Sequence, residues 1–123
     1  MLRTFLRAKL HRAVVTSADP DYEGSISIDR SLCREADLLE FEQVDIYDIN
    51  NGARFSTYVF YGEPGQIQIN GAAARLVEVR DRVIICAYAA LAPPEIAQHT
   101  ARIVQLGEGN RVVSVHTNTV RES

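Results

Sequence analysis

With 123 residues, 46% of them apolar and 24% charged, the chain has the composition of one ordinary globular domain with room for a single core. A formal net charge of -3 leaves no excess of positive charge to hold phosphates, so nucleic acid is not an expected partner. No apolar run approaches the ~20 residues that span a bilayer and no signal-type apolar core opens the chain, so the expectation is a cytoplasmic protein with no membrane partner.

The first 18 residues hold four basic residues and no acid, the composition of a transit peptide, and Leu2, Phe5, Leu6 and Leu10 fit a helical spacing. Leu6, Ala8 and Leu10 nevertheless alternate with Arg7, Lys9 and His11, and the β-branched Val14-Val15-Thr16 follows, which favours a strand. Ala18 to Asp21 reads as a turn and Ser25 to Ile28 as a second strand. Asp29 is placed to cap a helix reaching about Leu38, with Leu32, Cys33 and Ala36 on one face. Val44 to Tyr47 alternates into Asn51-Gly52, a hairpin signal, and the chain returns along Ala53 to Tyr61.

Beyond a turn at Glu63-Pro64-Gly65, Gln66 to Ile69 is a short strand, and Asn70 reads as the cap of a small-residue helix through Ala74. Arg82 to Ala90 is nearly continuously apolar and is expected to be buried on both faces. Pro93-Pro94-Glu95 starts a short helix to about His99, and Arg102 to Leu106 with Arg111 to Val115 forms a last hairpin. The expected fold is mainly β, a small closed barrel with a few short helices in a single domain, 1–123.

Signatures of common chemistry are missing: the sequence has no GxGxxG, P-loop, HExxH or GxSxG. Cys33 and Cys86 form no CxxC pair, which points to two buried thiols, and His11, His99 and His116 are scattered singly, so no metal is expected. Lys9 is the only lysine among twelve arginines and shares a strand face with His11. Arg54 and Tyr58 share another face, where a fixed cation beside a phenol suits an anion and a proton transfer. Gly24-Ser25, the only Gly-Ser in the chain, reads either as a turn or as a place where the Ser25 hydroxyl attacks the preceding carbonyl. Glycine suits that attack because it tolerates unusual backbone and crowds the carbonyl least.

RTFLRAKLHRAVVTSAD, YEGSISID, NNGARFSTY and INGAAARL follow one another in an order that resembles the pyruvoyl-dependent aspartate 1-decarboxylase family, closely over about residues 1–90 and loosely beyond. The resemblance implies a double-psi β-barrel, a homotetramer, and self-cleavage between Gly24 and Ser25 into chains 1–24 and 25–123. It further implies a covalent pyruvoyl group derived from Ser25 that takes the α-amine of L-aspartate, holds the electrons released with carbon dioxide, and yields β-alanine for pantothenate. By the same resemblance Tyr58 donates the proton and Lys9 and Arg54 grip carboxylate. Thr57, Gly71, Ala72 and Ala73 contact the substrate, and His11, Tyr22 and Asn70 support the site. The turn at Glu63 to Gln66 is about two residues shorter than in some relatives, which shifts the number of Asn70 without altering the order. Two other readings stay open: a pyruvoyl decarboxylase for another small amino acid such as glutamate, and a non-catalytic β-barrel binding module. A maturation factor is a further possible partner.

Overall fold

A computed structural model of the protein describes residues 1–121. The strands are β1 (Arg3–Val14), β2 (Ser17–Asp19), β3 (Ser25–Asp29), β4 (Gln43–Asp48), β5 (Arg54–Gly62), β6 (Ile67–Asn70), β7 (Arg82–Leu91), β8 (Thr100–Leu106) and β9 (Val112–Thr119). Two short α-helices, α1 (Arg30–Ala36) and α2 (Pro93–Ile96), and two 3₁₀ turns, Gly71–Leu76 and Glu108–Asn110, complete the described residues. The sheet order is β2-β6-β3-β5-β4-β7-β1-β8-β9, with β1–β8, β2–β6 and β3–β5 parallel and the other pairs antiparallel.

The sheet closes on itself because β1 runs straight into β2. At the junction the Thr16 amide donates to the Ile67 carbonyl at 2.8 Å, the Ile67 amide donates to Thr16 Oγ1 at 3.0 Å, and β2 continues along β6. The fold is therefore a small β-barrel. Ile26, Ile28, Ile46, Ile67, Ile69 and Ile85 are fully buried inside it. At roughly 1.5–3 kcal/mol per buried side chain, these β-branched residues are a main source of its stability.

The first strand forms as its alternation predicts, with Ala8 and Leu10 inside, but its register shifts between Leu6 and Ala8 and again between Leu10 and Ala13. At the second shift Arg12 takes a left-handed φ of 66°. The extra residues let Leu10, Ala13 and Val15 all face the core despite uneven spacing. Part of the expected turn at Ala18 to Asp21 is strand β2, because Ser17 to Asp19 finds β6 as a partner. The expected helix behind Asp29 stops at Ala36, where Asp37 turns left-handed at φ 55°, although Leu38 stays buried. Burial of β7 on both faces holds at Val83 and from Ile85 to Ala87 but not at Tyr88, which is 39% exposed on the outer side of the barrel.

Asp29 fixes the exit from β3. One carboxylate oxygen accepts from the Ser31 amide and hydroxyl, both at 2.7 Å, and the other accepts from the Gly65 amide at 2.7 Å. Burial alone would raise its pKa, but these hydrogen bonds outweigh burial and hold the carboxyl below its ordinary range. Its contribution is thus fully present above the usual carboxylate range and is lost as pH falls through the lowered folded-state value. Asp29→Ala should lower unfolding stability by about 1–2 kcal/mol at neutral pH. In urea unfolding followed against pH, the gap between the two proteins should close as the solution is acidified.

Candidate active site

Ser25 opens β3 and is fully buried, held by the strand beside it. In the antiparallel β3–β6 ladder Ser25 pairs with Asn70, so both side chains leave the sheet on the same side. Asn70 Nδ2 donates to Ser25 Oγ at 2.9 Å and to Ser27 Oγ at 3.2 Å, and Ser25 Oγ donates onward to the Glu23 carbonyl at 3.0 Å. The Asn70 carbonyl oxygen accepts from Gln68 Nε2 at 2.7 Å. The Ser25 oxygen is therefore oriented by a neutral amide, with its proton turned toward a backbone carbonyl.

This corrects the reading of Asn70 as a helix cap. The chain does enter a 3₁₀ turn at Gly71, but Asn70 makes no capping bond with its side chain, because the two serines of β3 occupy it. Gly71 carries the steric constraint that the sequence suggested for Gly24. Its φ is +74°, and a Cβ placed there would lie 2.6 Å from the Gly24 Cα and 2.9 Å from its amide nitrogen. A Cβ on Gly24 would meet nothing within 4 Å, and Gly24 does not sit in the left-handed region. Gly71 thus presses directly on the residue before Ser25. The Tyr22 carbonyl lies on the same side, 3.4 Å from that Cβ position, while the Tyr22 side chain is exposed. Ala72 is exposed and Ala73 half-buried in the same turn.

Tyr58 and Thr57 lie on the strand next to Ser25. Ile26 pairs with Val59 in the parallel β3–β5 ladder, which puts Tyr58 beside Ser25 one residue earlier. The Tyr58 ring packs edge-on against Phe60, with centroids 5.6 Å apart, and lies tilted to Phe41 at 6.4 Å. Thr57 is half-buried and faces the other side of β5 from Tyr58.

The two expected carboxylate grips stand apart from this cluster. Lys9 pairs with Cys86, Cys86 with Asp45 and Asp45 with Ser56, which forms one row across β1, β7, β4 and β5. Arg54 sits in the adjacent row, its guanidinium 4.3 Å from the centre of the Tyr47 ring. The Tyr47 hydroxyl meets the Tyr88 hydroxyl at 2.6 Å, and that bond, with burial, pushes the Tyr88 phenol pKa up. Burial raises the Cys86 thiol as well, and burial lifts Cys33 to about 12, so both stay protonated. Among the described residues, β1 lies four strand positions from β3 counted through β7, β4 and β5, and it runs into β2, two positions from β3 on the other side. Arg54 lies four residues along β5 from Tyr58, about 13 Å at ~3.3 Å per residue. In the strand pairing, therefore, neither cation is a direct neighbour of Ser25.

His11 is half-buried near Lys9, as their shared face predicted, and its Nδ1 is buried without a hydrogen-bond partner. Burial, then the charges of Lys9 and Arg12, lower its pKa below 6.5. Sequence reasoning missed Ser27 and Gln68, which complete the polar row beside Ser25, and Tyr47, Asp45 and Ser56, which surround Arg54. A period-two signal existed for the first group, since Ser25/Ser27 and Gln66/Gln68/Asn70 place polar residues on one face of two paired strands.

The family model described as "Aspartate decarboxylase" matches residues 1–113. A protein of Methylibium petroleiphilum named aspartate 1-decarboxylase is 55% identical over 117 residues, covering 94% of this chain and 98% of its own. Relatives of the same name from Ralstonia nicotianae and Psychromonas ingrahamii are 51% and 53% identical over 117 and 115 residues, covering 94% and 92% of this chain and 98% and 91% of their own.

Two outcomes are expected from this geometry. Gly71→Ala should cost about 1–3 kcal/mol in urea unfolding, whereas Gly24→Ala should stay within about 0.5 kcal/mol of the unaltered chain. An NMR titration of His11 should show a midpoint below 6.5, which Lys9→Gln moves upward only part of the way because burial remains.

Proposed function

The chain belongs to the aspartate decarboxylase family, and on that premise we propose that it cleaves itself between Gly24 and Ser25 and acts as a pyruvoyl-dependent carboxy-lyase converting L-aspartate to β-alanine and carbon dioxide. The observation that carries the reading is the Ser25 hydroxyl, buried and oriented by Asn70, next to a backbone that Gly71 presses from the other side. In the cleavage step the Ser25 oxygen attacks the Gly24 carbonyl carbon and the peptide becomes an ester. Elimination releases Gly24 as a carboxylate, and addition of water with loss of ammonia leaves the pyruvoyl group at the head of residues 25–123.

The residues around Ser25 fit that group. Asn70 holds the Ser25 oxygen that attacks and then leaves with Gly24, and Gly71 would keep the space beside the group free of a side chain. When present, the pyruvoyl group supplies the electrophile for the substrate amine and the sink for the electrons of decarboxylation. Tyr58, beside Ser25, supplies the proton that replaces the departing carboxylate, since a phenol donates without first carrying charge. Thr57 faces the other side of β5 from Tyr58, and its role in positioning the Gly24 carbonyl and the substrate rests on the family likeness. Gly71, Ala72 and Ala73 present main chain rather than side chain to the substrate, and Tyr22 and His11 support the two ends of the site.

Lys9 and Arg54 hold the side-chain carboxylate, so that the α-carboxylate is the one left poorly stabilised. They lie in rows separate from the Ser25–Asn70 row, which agrees with a site made between subunits, the cations of one chain facing the Ser25 of another. A homotetramer supplies that arrangement. Free buried Cys33 and Cys86 agree with a reducing, cytoplasmic setting.

An intact denaturing mass spectrum of purified protein should show two chains divided after Gly24, the longer one lighter by one ammonia than a chain beginning with free serine. The processed protein should then release carbon dioxide from L-aspartate, with L-glutamate a poorer substrate by about tenfold or more. A lasting single mass would refute self-cleavage under those conditions, and processed protein inactive on aspartate would refute the substrate. Arg54→Ala and Lys9→Ala should raise KM more than they lower kcat.

A further inference from the structure

The structure holds a second concave feature, of about 650 Å³, formed where the end of β1 meets the Glu108–Asn110 turn, the loop before β7 and the turn at Gly65. Arg12, Arg80 and Arg82 line it, and Glu108 is the one acid that does. Ion pairs among the described residues are made by Arg7 and Arg102, and these three guanidiniums enter none of them. Nor does any of the three donate a side-chain hydrogen bond to another described residue. Three exposed cations therefore converge on one groove with no ion pair to neutralise them, in a protein whose net charge is -3.

The groove is built from fixed backbone. Arg12 and Arg80 hold left-handed φ values of 66° and 82°, an arrangement that costs free energy for residues with a Cβ. The loop carrying Arg80 is bonded to β1 through its amide to the Val15 carbonyl at 2.8 Å, and the Val15 amide returns to the Asp81 carbonyl at 2.9 Å. Opposite, Asn110 is 3% exposed and also left-handed, at φ 58°. Its Oδ1 accepts from the Val14 amide at 2.7 Å, and its Nδ2 donates to the Val14 and Gly65 carbonyls, both at 3.0 Å. One buried side chain thus ties three walls of the groove together. Loose surface arginines would need none of this.

We propose that this groove is an anion site for a diphosphate group, either free or carried by a nucleotide. Guanidinium forks match phosphate oxygens in pairs of charge-assisted hydrogen bonds, and three of them exceed what a single carboxylate can use. A volume of this order suits a small organic ligand better than a lone monoanion. The site is separate from the Ser25 cluster, so its occupancy does not depend on cleavage or on decarboxylation.

The test is isothermal titration calorimetry of the full chain with sodium pyrophosphate, ADP and adenosine at constant ionic strength. Pyrophosphate should bind with a dissociation constant below about 1 mM, weakening as sodium chloride is raised, and adenosine should not bind. Tighter binding of ADP than of pyrophosphate identifies a nucleotide, and the reverse a free diphosphate. Arg80→Gln and Arg82→Gln, made singly, should each weaken binding by about tenfold. Absence of saturable binding up to about 10 mM, or affinity unchanged in both variants, overturns the proposal. Should a variant fail to fold, phenylglyoxal labelling of the unaltered protein decides: pyrophosphate should protect Arg80 and Arg82, and labelling indifferent to pyrophosphate overturns it.

Discussion

The amide of Asn70 is the contact on which the arrangement around Ser25 depends. It is fully buried, it joins β6 to β3 through two serine hydroxyls, and its own oxygen is satisfied by Gln68. A buried polar group left without a partner costs about 1–3 kcal/mol, so each member of this row makes the others necessary. The row also shapes the next turn of the chain. With its side chain committed to β3, Asn70 leaves the start of the 3₁₀ turn uncapped, and Gly71 crosses beside Gly24 in a conformation open to glycine.

The barrel provides the rigidity this contact needs. β3 is held between a parallel partner, β5, and an antiparallel one, β6, with Ile26 and Ile28 locked in the core beneath Ser25 and Ser27. Because side chains alternate along a strand, the same apolar residues that anchor β3 inside turn both serines toward Asn70. Asp29 then fixes the exit of β3 by capping α1 and holding the turn at Gly65. That turn is also held by Asn110, so the groove lined by Arg12, Arg80 and Arg82 leans on the same framework.

Charge is distributed differently from polarity. The surroundings of Ser25 are neutral amides, hydroxyls and backbone, whereas Lys9 and Arg54 lie on rows reaching across β1, β7, β4 and β5. The neutral side suits a bond rearrangement in the backbone, and the cationic side suits a dicarboxylate. In the strand pairing the two groups occupy different rows.

The sequence by itself was sufficient for most of the elements and for the family. Period-two alternation located β1 and β4, Asp29 announced α1, Asn51-Gly52 announced the hairpin and with it β5, and the order of four short segments matched the family to which the chain belongs. These are local signals, set by side-chain direction along a strand or by a single residue's backbone preference. They could not carry anything that depends on which strands become neighbours. Asn70 looked like a cap because its partners on β3 lie 45 and 43 residues away. The glycine constraint seemed to belong to Gly24 because the crowding at Gly71 comes from another part of the chain. The two bulges of β1, the rows in which Lys9 and Arg54 stand, and the gathering of three arginines in one groove were likewise decided by closure of the barrel. Tertiary packing alone sets those placements, since no local preference encodes the register between strands remote in sequence.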